Sequence, residues 1–401
     1  MDSLELISGL AQPSSTKIVL LVIDGLGGLP HPKTGKTELE TAKAPNLDKL
    51  AAAGTCGLTD PVAPGITPGS TPGHLALFGY DPVKFNMGRG VVEAVGIDFD
   101  LKSGDIAARG NFCTVDDRGL ITDRRAGRIS TEKCVELCQS LSGLVIDGVK
   151  LYVLPVRGHR FVIVFRGKSL SPDVSDSDPQ QTGLAPKAVT ALNSKAELMA
   201  VVANKFVEQA RAILCKYSPA NMLLLRGFSQ RPQLPTMSEI YKLKPAAIAA
   251  YPMYRGLAKL VGMQVLNTGI TIAEGMKTLK ENFSAYDFFF LHVKKTDSAG
   301  EDGDFKGKVK LIEEVDSAIP TLIGLKPDVI VITGDHSTPA MLKGHSWHPL
   351  PIVLYSKWCR PDRVGRFSES ACISGGLGRF PATQIMPLAM AHALKLAKFG
   401  A

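Results

Sequence analysis

Residues 17–28 read Lys-Ile-Val-Leu-Leu-Val-Ile-Asp-Gly-Leu-Gly-Gly, and this stretch decides the fold. Its apolar run is too short for a helix and rich in β-branched residues. That combination predicts a strand buried on both faces, the kind found in parallel sheets. Asp24 then stands at the strand's carboxyl end, the edge where open α/β sheets bind ligands. The glycines after it let the backbone turn closely. Their spacing is not G-x-G-x-x-G, so they carry no dinucleotide signature.

The same pattern recurs towards the C-terminus. Residues 286–293 (YDFFFLHV) form an apolar run ending near Lys294-Lys295-Thr296-Asp297. Residues 328–332 (DVIVI) form another, ending in Thr333-Gly334-Asp335-His336, and Leu350 to Tyr355 makes a further strand. Helices are expected between them. Pro45 to Ala53 has a proline near its start and is closed by Gly54. Phe305 to Leu322 places Phe305, Val309, Ile312, Val315, Ile319 and Leu322 on one face. In a parallel sheet the three strand ends share one edge, so Asp24, Asp297 and Asp335 gather there with His336. His345 and His348 follow in the loop KGHSWH. Carboxylates and imidazoles together suit Mn²⁺ or Zn²⁺ better than Ca²⁺.

Residues 66–74 (ITPGSTPGH) are a Gly/Pro-punctuated loop running into the apolar segment Leu75 to Phe78. Such punctuation precedes a helix. Ser70 at that helix start is either a cap or an activated nucleophile facing an anion. Metal ions held by the strand-end carboxylates would lower its hydroxyl pKa and stabilise charge on a transferring phosphoryl group. His74 reads as a polar residue on the helix that follows.

A different rhythm occupies 105–229. Lys150 to Val156 and Arg160 to Arg166 look like strands joined through Arg157-Gly158-His159. Ser169 to Gly183 is a polar loop carrying Asp173, Asp176 and Asp178. Ala196 to Cys215 has helical spacing, and Asn221 to Leu225 is a short strand. We read 105–229 as a domain inserted into a discontinuous one made of 1–104 and 230–401.

The chain's 401 residues exceed what one hydrophobic core usually supports, which agrees with two domains. No apolar run is long enough to span a bilayer, and the N-terminus lacks a signal-peptide pattern. The seven cysteines are scattered, with no C-x-x-C pair, which points to a reduced, cytoplasmic compartment. Net charge is +8, but the tightest basic cluster is only Arg124-Arg125 with Arg128. That favours a small anionic substrate over nucleic acid.

The set Ile23-Asp24-Gly25, Pro68-Gly69-Ser70, Lys295-Thr296-Asp297 and Gly334-Asp335-His336 resembles the alkaline phosphatase superfamily. Longer stretches narrow it: residues 61–82 (PVAPGITPGSTPGHLALFGYDP), Arg109-Gly110-Asn111-Phe112, 121–129 (ITDRRAGRI) and 299–304 (AGEDGD). These are similar to the archaeal-type cofactor-independent phosphoglycerate mutases. The resemblance implies an α/β fold: a mostly parallel sheet between helices, plus a smaller inserted α+β domain that holds the substrate. It implies a phosphoserine at Ser70 and transfer of the phosphoryl group between the 2- and 3-hydroxyls of glycerate, a glycolytic and gluconeogenic step. Two divalent ions are implied, Mn²⁺ first and Mg²⁺, Co²⁺ or Zn²⁺ as alternatives, with no 2,3-bisphosphoglycerate.

Carried over by motif, Asp24, Ser70, Asp335 and His336 would bind one ion, and Asp297, Glu301 and His348 the other. The family usually has His where this chain has Glu301. Arg109, Arg124, Arg125, Arg128, Arg160, Arg226, Arg255 and Lys259 become candidates for phosphate and carboxylate contacts, because Arg forks onto both anions. The partners implied are phosphoglycerates, with no nucleic acid or membrane, in a monomer or small homo-oligomer. The competing readings are a metal-dependent phosphatase or sulfatase, another phosphomutase of the superfamily, and a basic nucleic-acid-binding protein. The long Arg-bearing insert favours the mutase, which must shield a phosphoserine from water.

Overall fold

In a computed structural model, which describes residues 3–85 and 87–400, the run read first from the sequence is the strand Ile18–Ile23, with every residue buried. It lies inside an eight-stranded sheet. The strand order is Gln264–Val265, Pro245–Ile248, Phe288–Val293, Ile18–Ile23, Val329–Thr333, Leu350–Ser356, Thr55–Asp60 and Gly378–Pro381. Neighbours are parallel except around Leu350–Ser356, which runs antiparallel to both of its partners. The mostly parallel sheet expected from the buried runs is therefore present. Ile18–Ile23 pairs in register with Phe288–Val293 on one side and Val329–Thr333 on the other. Those pairings bring the ends carrying Asp24, Asp297 and Asp335 side by side.

The apolar side chains of these strands are covered by helices. Phe305–Gly324 contributes Ile312, Val315, Ile319 and Leu322 to the same buried cluster as Val19, Leu21, Phe289 and Ile330. Pro45–Ala53 adds Leu47 and Leu50. Burying such runs removes their apolar surface from water, at roughly 25 cal/mol per Å².

The chain forms two compact units. One comprises Met1–Asn86, Leu234–Tyr251 and Ala258–Ala401, the other Met87–Gln233 and Pro252–Leu257. The second is built on a six-stranded sheet of its own. There Ile106–Val115 is central, antiparallel to Arg160–Arg166 and to Met222–Gln230. The helix Glu197–Leu214 packs Met199, Val202, Phe206 and Ala210 into this unit's core. The positions 105 and 229 read from the sequence fall inside this unit. It begins earlier because the helix Arg89–Gly96, which has no strong sequence signal, lies directly on the new sheet. A Cβ at Gly90 would collide with the Ala107 backbone. Met222–Gln230 is also longer than the expected 221–225 strand.

Candidate active site

Three elements of the first unit bring four candidate ligands together at the carboxyl edge of its sheet. Asp24 follows Ile18–Ile23, Asp297 sits in the first turn of the helix Lys295–Asp302, and Asp335 and His336 follow Val329–Thr333. All four are buried. Close approach requires glycine at two points. Gly25 has φ +67°, and a Cβ there would lie 2.8 Å from the Asp297 Cα. A Cβ on Gly73 would sit 2.2 Å from the Asp335 carbonyl oxygen, so only glycine lets the helix Ser70–Leu77 approach this strand end.

Ser70 is the first residue of that helix. The cap position belongs to Gly69, and no side chain caps the end. The Ser70 Oγ instead lies 3.3 Å from His336 Nε2, buried at 4% exposure. Of the two sequence readings, the cap is thereby excluded.

The His336 tautomer follows from its neighbour Thr338. The Thr338 hydroxyl donates to Asp297 Oδ1 at 2.7 Å, so its oxygen accepts from His336 Nδ1 at 2.9 Å. The Nε2 lone pair then faces Ser70 Oγ, Asp24 Oδ1 at 3.3 Å and Asp335 Oδ2 at 3.2 Å. Burial first, then the neighbouring His345, drives the His336 pKa well below its ordinary value, so the ring is neutral. Acceptors facing one another out of water repel unless a cation lies among them. Asp24, Asp335 and His336 offer ligand atoms within 4.8 Å of one another, and Asp297, His336 and His345 form a second such group. The donors of both groups, carboxylate oxygen and neutral imidazole nitrogen, fit a divalent transition metal.

Electrostatics agree. Burial raises Asp335 to about 6, helped by the charge of Asp24. Burial works the same way on Asp24, but the Lys294 ammonium and the imidazoles of His292 and His336 outweigh it and hold Asp24 well below the usual carboxylate range. Lys294 Nζ lies 3.2 Å from Asp24 Oδ2 and also contacts Asp297 Oδ2. One ammonium thus bridges carboxylates from both groups.

Two imidazoles lie behind the site: His74, expected only as a polar residue on the helix after Ser70, and His292, which the sequence did not single out. His74 Nδ1 lies 2.8 Å from the Ser70 carbonyl oxygen and 3.1 Å from Asp335 Oδ2. Its pKa is opposed by burial and raised on balance by Asp335. His292 Nε2 lies 3.2 Å from Asp24 Oδ2. The available signals were spacing and context. His74 is one helical turn from Ser70, and His292 is the one polar residue inside an otherwise apolar strand.

The second ligand group differs from the motif-based expectation. His345, not His348, stands beside Asp297, with Nε2 at 3.6 Å from Oδ1. His345 Nδ1–H donates to the Pro68 carbonyl oxygen at 2.9 Å, which aims Nε2 inward. His345 also stacks on His336, centroids 3.6 Å apart. His348 joins neither group: its Nδ1 meets Ser346 Oγ and its ring stacks on Trp347. Glu301 is exposed in the last turn of Lys295–Asp302 and also joins neither group.

The second unit gathers most of the candidate arginines. Sheet register sets Arg109 opposite Arg226, and Asn111 opposite Arg160. Arg124 forks onto Asp178 at 3.1 and 2.6 Å, and Arg226 lies 3.9 Å from the same carboxylate. Arg109, itself buried, meets buried Glu93 at 3.4 Å. Burial, then Arg109 and Arg89, pulls Arg226 down to about 9. Burial, then Arg160, Arg109 and Arg125, takes His159 down to about 3. Such crowding of like charge is suited to an anion. Arg89, which carried no sequence signal, joins the group. Arg255 faces Asp98 at 3.6 Å, Lys259 falls in the other unit, and Arg128 lies in the turn Ala126–Arg128.

A family profile described as 2,3-bisphosphoglycerate-independent phosphoglycerate mutase matches residues 51–221. A curated relative from Aquifex aeolicus, named as a probable enzyme of that kind, is 50% identical over 99% of this chain and 100% of its own. The chain belongs to this mutase family. Two solved structures agree in fold. The PH0037 protein of Pyrococcus horikoshii is 31% identical, with TM-score 0.83 over 97% of this chain and 100% of its own. The cofactor-independent phosphoglycerate mutase of Thermoplasma acidophilum is 32% identical, with TM-score 0.68 over 94% and 100%. The family membership inferred from the Ser70 and strand-end motifs is therefore correct. Among the described residues no helix is long and apolar enough to cross a membrane.

Proposed function

We propose that this chain interconverts 2- and 3-phosphoglycerate through a phosphoserine at Ser70, with two divalent ions, Mn²⁺ foremost, and without 2,3-bisphosphoglycerate. The observation that carries the reading is the buried Ser70 hydroxyl beside His336 Nε2, among two sets of convergent carboxylate and imidazole donors. Asp24, Asp335, His336 and Ser70 would hold one ion. Asp297 and His345 would hold the other, with Glu301, one helical turn beyond Asp297, as a further candidate ligand. Bound ions supply Lewis acidity that lowers the serine pKa and offsets phosphoryl charge.

The chain's own residues do the rest. Ser70 Oγ sits at a helix N-terminus, whose free N–H groups and dipole favour the incoming phosphoryl group. Oγ bonds to phosphorus as the ester oxygen of glycerate leaves, and the returning bond forms to the other hydroxyl. Between these events the glycerate must stay bound. The arginine cluster of the second unit, with Arg109, Arg124, Arg125, Arg160, Arg226 and Arg89, offers forked donors suited to its carboxylate and hydroxyls. A hydrolase would have no need to retain its leaving group in this way.

The test is an assay on 3-phosphoglycerate rigorously freed of bisphosphoglycerate, after chelation and then with Mn²⁺ restored. Activity should vanish and return. An absolute requirement for bisphosphoglycerate, or full activity of the chelated protein, refutes the reading.

A further inference from the structure

Behind the candidate metal centre, within the same unit, lies a charged network that the phosphoryl chemistry does not use. Lys308, on the helix Phe305–Gly324, is fully buried, which is rare for lysine unless it is paired. Its ammonium donates to two backbone carbonyls, Gly27 O at 2.9 Å and Thr338 O at 2.9 Å. Glu38 Oε1 lies 3.9 Å away and accepts the Ala340 N–H at 2.8 Å. Glu369 accepts the Gly28 N–H at 2.9 Å and the Thr37 hydroxyl at 2.8 Å. Three ionisable side chains from three separate helices thus converge on two short loops. One loop follows Asp24, and the other follows Asp335 and His336.

These loops are also joined directly, since Thr338 N–H donates to Gly27 O at 3.1 Å. Lys308 is bonded to both ends of that link. Thr338 is the residue whose hydroxyl holds Asp297 Oδ1 and His336 Nδ1. The backbone of Thr338 is therefore fixed from behind by Lys308, while its side chain orients one ligand from each metal group. No other described lysine is fully buried with its ammonium shared between the carbonyls of two site loops.

We propose that Lys308 is a positioning residue for the metal centre, fixing through Gly27 and Thr338 the spacing between the Asp24/Asp335/His336 group and the Asp297/His336/His345 group. Groups that orient ligands from behind typically change metal affinity or activity by about 10- to 100-fold when removed. The proposal rests on the metal reading above. Among the described residues, Lys308 itself makes no contact with a candidate metal ligand's side chain and acts through the two backbone carbonyls.

The test separates positioning from fold maintenance. Lys308→Met alone would leave Glu38 buried without its cation, so the variant to use is Lys308→Met combined with Glu38→Gln. Mn²⁺ is titrated into the metal-free protein by calorimetry, and the melting temperature of the metal-free form is measured alongside. The expected result is weaker binding of both ions, by about 10-fold or more, with the metal-free melting temperature close to wild type. Mutase activity should show a lower kcat at saturating Mn²⁺, with KM for 3-phosphoglycerate little changed. Unchanged affinity for both ions with unchanged kcat overturns the proposal. If the double variant does not fold, Lys308→Arg decides by the same titration. Its guanidinium keeps the charge but is a larger, planar fork that does not reproduce the compact ammonium between the two carbonyls, so weakened binding supports the proposal and wild-type binding overturns it. A wild-type protein that binds no Mn²⁺ overturns the metal reading itself, and this proposal with it.

Discussion

Glu301 lies one helical turn beyond Asp297 on the same helix, yet Asp297 is buried among donors while Glu301 is exposed. Residues four apart share a helix face, so Glu301 stands on the side of this helix that carries Asp297. Its position has no local helical rationale. It sits in the last turn, where the helix dipole disfavours negative charge. We therefore expect Glu301 to serve the metal. Glu301→Ala should weaken one ion, and Glu301→His should shift activation from Mn²⁺ towards Zn²⁺, because imidazole is the softer donor. Identical Mn²⁺/Zn²⁺ activation ratios for wild type and Glu301→His would sink the idea.

His345 and His348 make opposite predictions. His345 Nε2 faces Asp297, whereas His348 is turned to Ser346. Elemental analysis after dialysis against limiting Mn²⁺ should find His345→Ala depleted of one ion and His348→Ala fully loaded. The reverse pattern would restore the assignment made from motif position.

Ser70→Ala should fold normally and form no acid-stable phosphoenzyme with 3-phosphoglycerate. Its activity should fall to the background of the assay, because no second hydroxyl among the described residues lies against His336 Nε2 in this way. Turnover above a few per cent of wild type would remove Ser70 from the nucleophile's role.

Arg226 is held against its neighbours at a cost to the free protein. Burial and the charges of Arg109 and Arg89 pull its pKa down to about 9. Arg226→Met should leave the melting temperature of the substrate-free protein unchanged or raised, while kcat/KM falls by roughly 10- to 100-fold, the worth of one charged hydrogen bond. A variant that melts much lower with its kcat/KM intact would reverse the assignment.

His159 gives the pH dependence. It stays neutral in the folded chain down to about 3, against an ordinary value of 6.5 when unfolded. Between these values the unfolded chain binds a proton that the folded chain does not. Stability therefore falls as pH drops through that window, by about 2 kcal/mol between neutrality and roughly pH 5. The acid side of a melting-temperature profile should be shallower for His159→Gln than for wild type. Superimposable acid limbs would show that His159 does not govern it.

The legible parts of this chain were those where one residue type had only one physical use. Ile18–Ile23 could hardly be anything but a buried strand, and an Asp at the end of each of three such runs placed the site's edge. Ser70 was readable as a helix start, but its choice between cap and nucleophile was not, since that depends on Gly69 taking the cap. His345 and His348 are equivalent in sequence. They are separated only by which one finds a carbonyl, Pro68 O, to fix its ring. Arg89 and Lys308 were invisible because their partners lie far along the chain, across a sheet or behind a loop. The strands Thr55–Asp60 and Gly378–Pro381 are short, at the sheet's far side, and contain glycine, so no alternation marks them.

The direction of Leu350–Ser356 has a consequence for how this centre can change. A parallel strand after Val329–Thr333 would need a crossover to the sheet's opposite end. Running antiparallel, the chain turns back where it stands, and residues 334–349 never leave the carboxyl edge. Asp335, His336 and His345 are thus ligand donors of one hairpin-like return, tethered at both ends by paired strands. Lys308 and Gly27 pin this return at Thr338 and Glu38 pins it at Ala340, so the part between Ala340 and His345 is where its length can change without moving a strand of the sheet. Among the first unit's ligand-bearing segments, it is the one where ligand spacing, and with it metal choice, can drift while the fold stays still.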